Sequence, residues 1–251
     1  MALTAHNLTI GYGKRAVLSK LSLVLPAKQL TVLIGSNGCG KSTLLRTLTA
    51  AQPELDGDIM IDGKALSSFS ATQLSRRLSL VLTDRTGGGG LRTDELVAIG
   101  RHPYSGFFGR LTADDRSAVS QALDAVGLSH KANSFVASLS DGERQKAMIA
   151  RAIAQNTDII VLDEPTSFLD VAARFEIINL LAEMTRNMGK TILLSTHDIA
   201  PAIAVADNIW AIAQGQLHAS TTAQTISSGI LNHVFPNAVF SPQTLDFLPK
   251  R

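Results

Sequence analysis

Gly35, Ser36, Asn37, Gly38, Cys39, Gly40, Lys41 and Ser42, followed by Thr43, satisfy the pattern G-x-x-x-x-G-K-[ST]. Glycines at these spacings let a backbone wrap closely, so that successive N–H groups and the start of the following helix point at phosphate oxygens. A lysine at position 41 then neutralises the outer phosphates, and the Ser42 hydroxyl is placed to ligate Mg²⁺. Asp163 and Glu164 follow the apolar run Ile159-Ile-Val-Leu162, so two carboxylates emerge where a buried strand ends. Asp163 suits a metal held through its water shell, and Glu164 suits a base that orients and deprotonates an attacking water. His197 follows a second such run, Lys190-Thr-Ile-Leu-Leu-Ser195, and is placed to contact a terminal phosphate. The other histidines, His6, His102, His130, His218 and His233, have no such setting.

These groups need a parallel sheet to deliver them to one edge, since open α/β folds bind ligands beyond the carboxyl ends of their strands. The runs at 159–163 and 190–195 are near-continuous apolar segments bracketing a helical stretch, as expected of strands buried on both faces. The run Leu30-Thr-Val-Leu-Ile34 leads directly into the glycine loop, and a helix is expected from about Lys41. The first 34 residues read as short β segments with turns at Gly11-Tyr-Gly13 and Pro26. Gly57 to Gly63 reads as a strand closed by an Asp-Gly turn, and Ser70 to Gln73 as a capping box. Gly87 to Gly90 reads as a flexible join, and about 94 to 154 as helical throughout. The expected fold is therefore α/β: a phosphate-loop nucleotide-hydrolase core with a mostly parallel sheet, an N-terminal antiparallel β subdomain and an inserted helical subdomain. A single domain spans 1–251, with 1–84 and 155–220 as nucleotide-binding core, 85–154 as the helical part and 221–251 as a C-terminal tail to which no chemistry is assigned.

Composition narrows the function further. There are 23 Lys and Arg against 21 Asp and Glu, a net charge of +2, so no strong overall field favours a nucleic-acid backbone, and no nucleic-acid partner is expected. The single cysteine, Cys39, excludes an intrachain disulfide or a multi-cysteine metal site and suits a reducing cytosol. Within the loop that thiol is read as a small side chain rather than as a redox switch. No secretory leader is read at the N-terminus, and the apolar runs fall far short of the roughly 20 residues that span a bilayer. If the chain serves transport, another polypeptide supplies the pore.

Leu139-Ser-Asp-Gly-Glu-Arg-Gln145 opens an expected helix between the glycine loop and the acidic pair, and it resembles the LSGGQ signature of ABC ATPases. Ser140 and the N–H groups near Gly142 stand at that helix N-terminus, a second anion-binding surface. A simpler reading has Ser140 as N-cap and Glu143 completing a capping box. The resemblance covers roughly residues 1 to 220. It implies a head-to-tail homodimer holding two ATP molecules, each gripped by one copy's loop and by Ser140, Gly142 and Glu143 of the other. It also implies Tyr12 as the aromatic that stacks on adenine, Ser167-Phe-Leu-Asp170 as a loop crossing the interface, His197 as the switch histidine and Glu164 as general base. Two departures stand out. Asp141 and Glu143 replace the common Gly and Gln, and Thr83 occupies the place of a glutamine expected to reach the metal, so Thr83 is read as a possible metal ligand alongside Ser42 and Asp163. Residues 95–103 and 106–116 resemble the ATPases of iron-siderophore, haem and cobalamin importers, with Phe107 and Phe108 as candidates to meet a permease helix or simply to pack internally. The resemblance thus implies a peripheral subunit on the cytoplasmic face of the inner membrane, partnered by a permease and indirectly by a substrate-binding protein. A soluble ABC ATPase without a transport role is the alternative.

Overall fold

The computed structural model describes residues 2–82, 90–105 and 110–249. Thr83, the glycines from Gly87 to Gly89, and Phe107 with Phe108 lie outside the described residues. The chain opens with two long strands, β1 (Leu3–Tyr12) and β2 (Arg15–Leu25), joined by a turn at Gly13 and Lys14. The expectation of short segments fails here. Asn7 and Lys20 take φ of 49° and 55° and the register shifts along the pair, so bulges interrupt the alternation without ending the strands. Gly11 and Tyr12 consequently belong to β1 rather than to the turn.

Next come β3 (Leu30–Gly35), α1 (Lys41–Leu48), β4 (Asp56–Ile61), β5 (Lys64–Ala65), α2 (Ala71–Ser75) and β6 (Leu78–Val81). Asp62 and Gly63, with φ of 48° and 77°, make the tight β4–β5 turn that an Asp-Gly pair favours. Ser70 and Gln73 form the capping box of α2. Then follow α3 (Thr93–Ala98), α4 (Ala113–Ala125), α5 (Asp141–Ala154), β7 (Ile159–Asp163), α6 (Val171–Met188), β8 (Thr191–Ser195), α7 (Ile199–Val205), β9 (Asn208–Ala213) and β10 (Gln216–Thr221). The last segment, not assigned elements from sequence, holds α8 (Thr222–Ser228), α9 (Ile230–Val234) and the hairpin of β11 (Ala238–Ser241) with β12 (Asp246–Pro249).

The central sheet has the order β10-β9-β3-β8-β7-β6, parallel except for β10. The antiparallel sheet has the order β2-β1-β4-β5. Alternation within the buried strands divides the core in two. Leu30, Val32, Ile34, Ile160, Leu162, Ile192 and Leu194 face the helical side. Leu33, Val161, Leu193, Trp210 and Ile212 face the antiparallel sheet, where α1 inserts Leu44, Leu45 and Leu48. Helix α1, and with it the glycine loop, is therefore clamped between two sheets.

The helical stretch is anchored by a buried ion pair. Arg101 Nε donates to Asp115 Oδ1 at 2.8 Å and Arg101 Nη1 to the carbonyl of Ala154, the last residue of α5, at 2.8 Å. The Thr112 amide and hydroxyl donate to the other Asp115 oxygen at 3.0 and 2.8 Å. These donors, the Thr112 backbone first, hold the Asp115 carboxyl down to about 2. Arg101 and Arg76 both lie against the Tyr104 ring, at 4.1 and 5.0 Å, and Arg76 donates to the Pro103 carbonyl at 2.8 Å.

Candidate active site

Strand β8 lies between β3 and β7, and Ser195 pairs in register with Leu33 on one side and Asp163 on the other. The segments leaving these three strands therefore emerge together. The glycine loop leaves β3, where Gly35 and Gly40 are required by space. A Cβ at Gly35 would lie 2.5 Å from Cys39 Sγ, and one at Gly40, whose φ is +107°, would lie 2.8 Å from Val17 Cγ1. Ser36, Asn37 and Gly38 face solvent, while Gly40 is buried as the N-cap of α1. No side chain caps α1, so its first N–H groups stay directed into the loop. Burial pushes the Cys39 thiol up, which fits a packing role and not a reactive thiolate.

The Lys41 amine is buried and donates to the carbonyls of Gly35 at 2.9 Å and Ser36 at 3.4 Å. It stands 3.8 Å from a Glu164 oxygen. The other Glu164 oxygen lies 3.6 Å from His197 Nδ1 and accepts from the Ser167 hydroxyl at 3.0 Å. Glu164 thus meets the lysine of the first strand edge and the histidine of the second. Its backbone sits at φ 49°, a strained conformation for a non-glycine residue. The strain is held by its own N–H, which donates to the Ser195 carbonyl and hydroxyl at 3.1 and 2.9 Å. The Ser195 hydroxyl in turn donates to Asp163 Oδ1 at 2.7 Å. Ser195 thus joins the candidate site, although the sequence pattern alone does not single it out. Its signal was its place two residues before His197, in register with the acidic pair.

Hydroxyl and carboxylate oxygens at Ser42 and Asp163 are the hard donors that Mg²⁺ takes. Among the described residues no cluster of three His, Cys, Asp or Glu side chains could hold a metal unaided. That donor set fits an ion completed by substrate phosphates and water. Tyr12 ends β1 exposed, its hydroxyl 3.2 Å from Thr43 Oγ1, so its ring borders the loop.

The signature segment lies elsewhere. Ser140 caps α5, its hydroxyl accepting from the Glu143 N–H at 3.2 Å, while a Glu143 oxygen accepts from the Ser140 N–H at 2.9 Å. The capping-box reading and the anion-surface reading therefore fall on the same atoms. The Ser140 N–H holds the Glu143 carboxyl below its usual range, assisted by Lys131 at 3.5 Å. A Cβ at Gly142 would stand 3.2 Å from Ala173 Cβ at the start of α6. Among the described residues no hydrogen bond or ion pair joins Ser140, Gly142 or Glu143 to the glycine loop.

A family model described as ABC transporter matches residues 18–167. The ferric enterobactin transport ATP-binding protein FepC of Escherichia coli is 38% identical over 224 residues, covering 89% of this chain and 83% of that protein. The petrobactin import ATP-binding protein FpuD of Bacillus anthracis is 39% identical over 218 residues, covering 87% and 80%. Among solved structures, an ABC transporter assigned to the metal-chelate type, in an inward-facing conformation, superposes with a TM-score of 0.85 at 26% identity, covering 100% of this chain and 98% of that one.

Proposed function

Since the chain belongs to the ABC transporter family as an ATP-hydrolysing, ATP-binding subunit, we propose that it powers uptake of a ferric siderophore through a separate permease. The cargo assignment is supported by the 38 and 39% identity to the enterobactin and petrobactin proteins over at least 80% of either partner. The pattern at 95–116 also resembles haem and cobalamin systems, which makes those cargoes the competing outcomes of the test. Among the described residues no helix is long and apolar enough to cross a membrane. In this reading the subunit works on the cytoplasmic face of the membrane, bound to the permease, with a substrate-binding protein delivering cargo from the far side.

The observation that carries the catalytic reading is the Glu164 carboxylate set between the Lys41 amine and His197. ATP is taken with its phosphates in the loop 35–42, its terminal phosphates on Lys41 and its adenine against Tyr12. Mg²⁺ bound by Ser42 and Asp163 would neutralise the phosphate oxygens. Thr83, as a further ligand, lies outside the described residues. Glu164 takes a proton from water as the water oxygen bonds to the γ-phosphorus and the bond to the β–γ bridging oxygen breaks. His197 holds that carboxylate and the γ-phosphate in line.

Ser140, Gly142 and Glu143 act on the nucleotide of a second copy, a reading supported by the helix N-terminus they form apart from the loop of their own chain. Closure of the two copies over ATP drives the permease, with the helical part 85–154 supplying Ser140 and the core formed by 1–84 and 155–220 supplying the loop 35–42. Accepting a phosphate at Ser140 requires the Glu143 carboxylate to leave its N–H.

The test is steady-state hydrolysis by the purified subunit. Glu164→Gln should cut kcat by about 10² to 10⁴ while ATP binding is retained, and unchanged turnover would refute the assignment. Loss of the gene should abolish growth on ferric siderophore as iron source. Loss of growth only on haem, or only of cobalamin uptake, would replace the cargo.

A further inference from the structure

One side chain ties together three segments around the catalytic groups without touching any of them. Arg174, on the first turn of α6, donates from Nε to the Leu169 carbonyl at 2.8 Å and from Nη1 to Asp198 Oδ1 at 2.8 Å. The other Asp198 oxygen accepts from the Thr166 hydroxyl at 2.5 Å, and the Asp198 N–H donates to Thr196 Oγ1 at 2.9 Å. Thr166 and Thr196 are fully buried, with their hydroxyls 3.4 Å apart. The Asp198 side chain is only 10% exposed. Thr166 stands two residues after Glu164, Leu169 two after Ser167, and Thr196 and Asp198 flank His197. The network therefore fixes both sides of the His197 backbone and the loop that carries Glu164 and Ser167.

We propose that Arg174 is a positioning residue that sets the approach of His197 to Glu164 by locking the turn after β8 to the loop after β7; this rests on the reading of Glu164 and His197 as the catalytic pair. The planar guanidinium suits the task because two N–H vectors leave it at a fixed angle, one to a backbone carbonyl and one to a carboxylate. A lysine at this place can keep the pair with Asp198 but cannot hold both partners in that geometry. None of these contacts reaches the loop 35–42, so the lock bears on the alignment of reacting groups and not on nucleotide affinity.

The experiment compares Arg174→Met and Arg174→Lys in the full-length subunit, reading kcat, KM for ATP and the thermal midpoint. The expected result is a fall in kcat of roughly tenfold to a hundredfold for Arg174→Met, with KM for ATP within about twofold and partial recovery in Arg174→Lys. Arg174→Met leaves the Asp198 charge without its cation, so some thermal loss accompanies it. The double variant Arg174→Met with Asp198→Asn removes that charge and should regain thermal stability while kcat stays low. Wild-type kcat in folded Arg174→Met, a matched rise in KM, or a double variant that regains stability and turnover together would overturn the proposal. Should Arg174→Met not fold, Arg174→Lys carries the same kcat against KM comparison. Glu164→Gln run in parallel separates the two readings. If it retains turnover the site assignment fails, whereas if it loses turnover and Arg174→Met does not, only the role of Arg174 falls.

Discussion

Replacing Asp115 by asparagine should weaken the helical stretch that carries Ser140. The Asp115 side chain is 3% exposed and that of its partner Arg101 11%. Ionisation of Asp115 is favoured in the folded chain by the drop from 3.8 to about 2, which corresponds to about 2 kcal/mol. The asparagine also turns an amide donor toward either Arg101 or the Thr112 donors and leaves a buried cation uncompensated, a loss of about 3 to 5 kcal/mol when one partner of such a pair is removed. A central expectation of about 3 kcal/mol, at about 2 to 4 °C per kcal/mol for a chain of this size, lowers the thermal midpoint by roughly 6 to 12 °C at neutral pH. The sign with pH follows from the depressed carboxyl: its contribution is fully present above about 4 and is lost as pH falls toward about 2. Thermal unfolding of parent and variant, followed by circular dichroism from pH 7.5 downward, should show the gap narrowing below pH 4. Asp115 touches neither Lys41 nor the glycine loop, so ATP affinity should stay within about twofold. A variant within about 1 °C of the parent, or a gap that keeps its width as pH drops through this window, would refute the reasoning.

Glu143→Gln keeps both capping contacts with Ser140 but removes a negative charge from the face that receives phosphate. In a Glu164→Gln background, ATP-dependent dimer formation measured by sedimentation should strengthen about threefold to tenfold, at the cost of about 0.5 kcal/mol from the half-exposed pair with Lys131; unchanged or weaker dimerisation would count against it. Because burial raises the Cys39 thiol, alkylation by iodoacetamide at pH 7.5 should run several-fold slower in the native chain than in urea, and equal rates would contradict that account.

The grouping of the candidate residues is legible in the sequence because strands buried on both faces appear as apolar runs, and polar residues just beyond them fall at one sheet edge. Asp163, Glu164 and His197 are found that way and Lys41 from the glycine pattern, and the structure brings Lys41 and His197 to Glu164, beside Asp163. The antiparallel sheet was legible in kind but not in length, since Asn7 and Lys20 break the alternation while the pairing continues. Arg174 was invisible: an arginine in the first turn of a helix looks like solvated surface until Leu169 and Asp198 fold against it. The left-handed backbone of Glu164 is equally hidden, since its N–H is held by Ser195 across the sheet, which no local pattern announces. Tyr12 carried no local signal, and its place beside Thr43 depends on a pairing of β1 that composition does not announce.

The strand order has a consequence for biosynthesis. β3 lies early in the chain but borders β8 and β9, more than 150 residues downstream. Pairings so distant in sequence form late, because their loop-closure entropy must first be overcome. Until the ribosome has passed residue 195, Leu30 to Ile34 has neither flanking strand to cover it, and until residue 213 it has only one. During that interval, of order ten seconds or more at usual elongation rates, an unpaired apolar segment is open to chaperones and to aggregation. The nascent polypeptide therefore secures the strand that carries its phosphate loop only after β8 and β9 have been made.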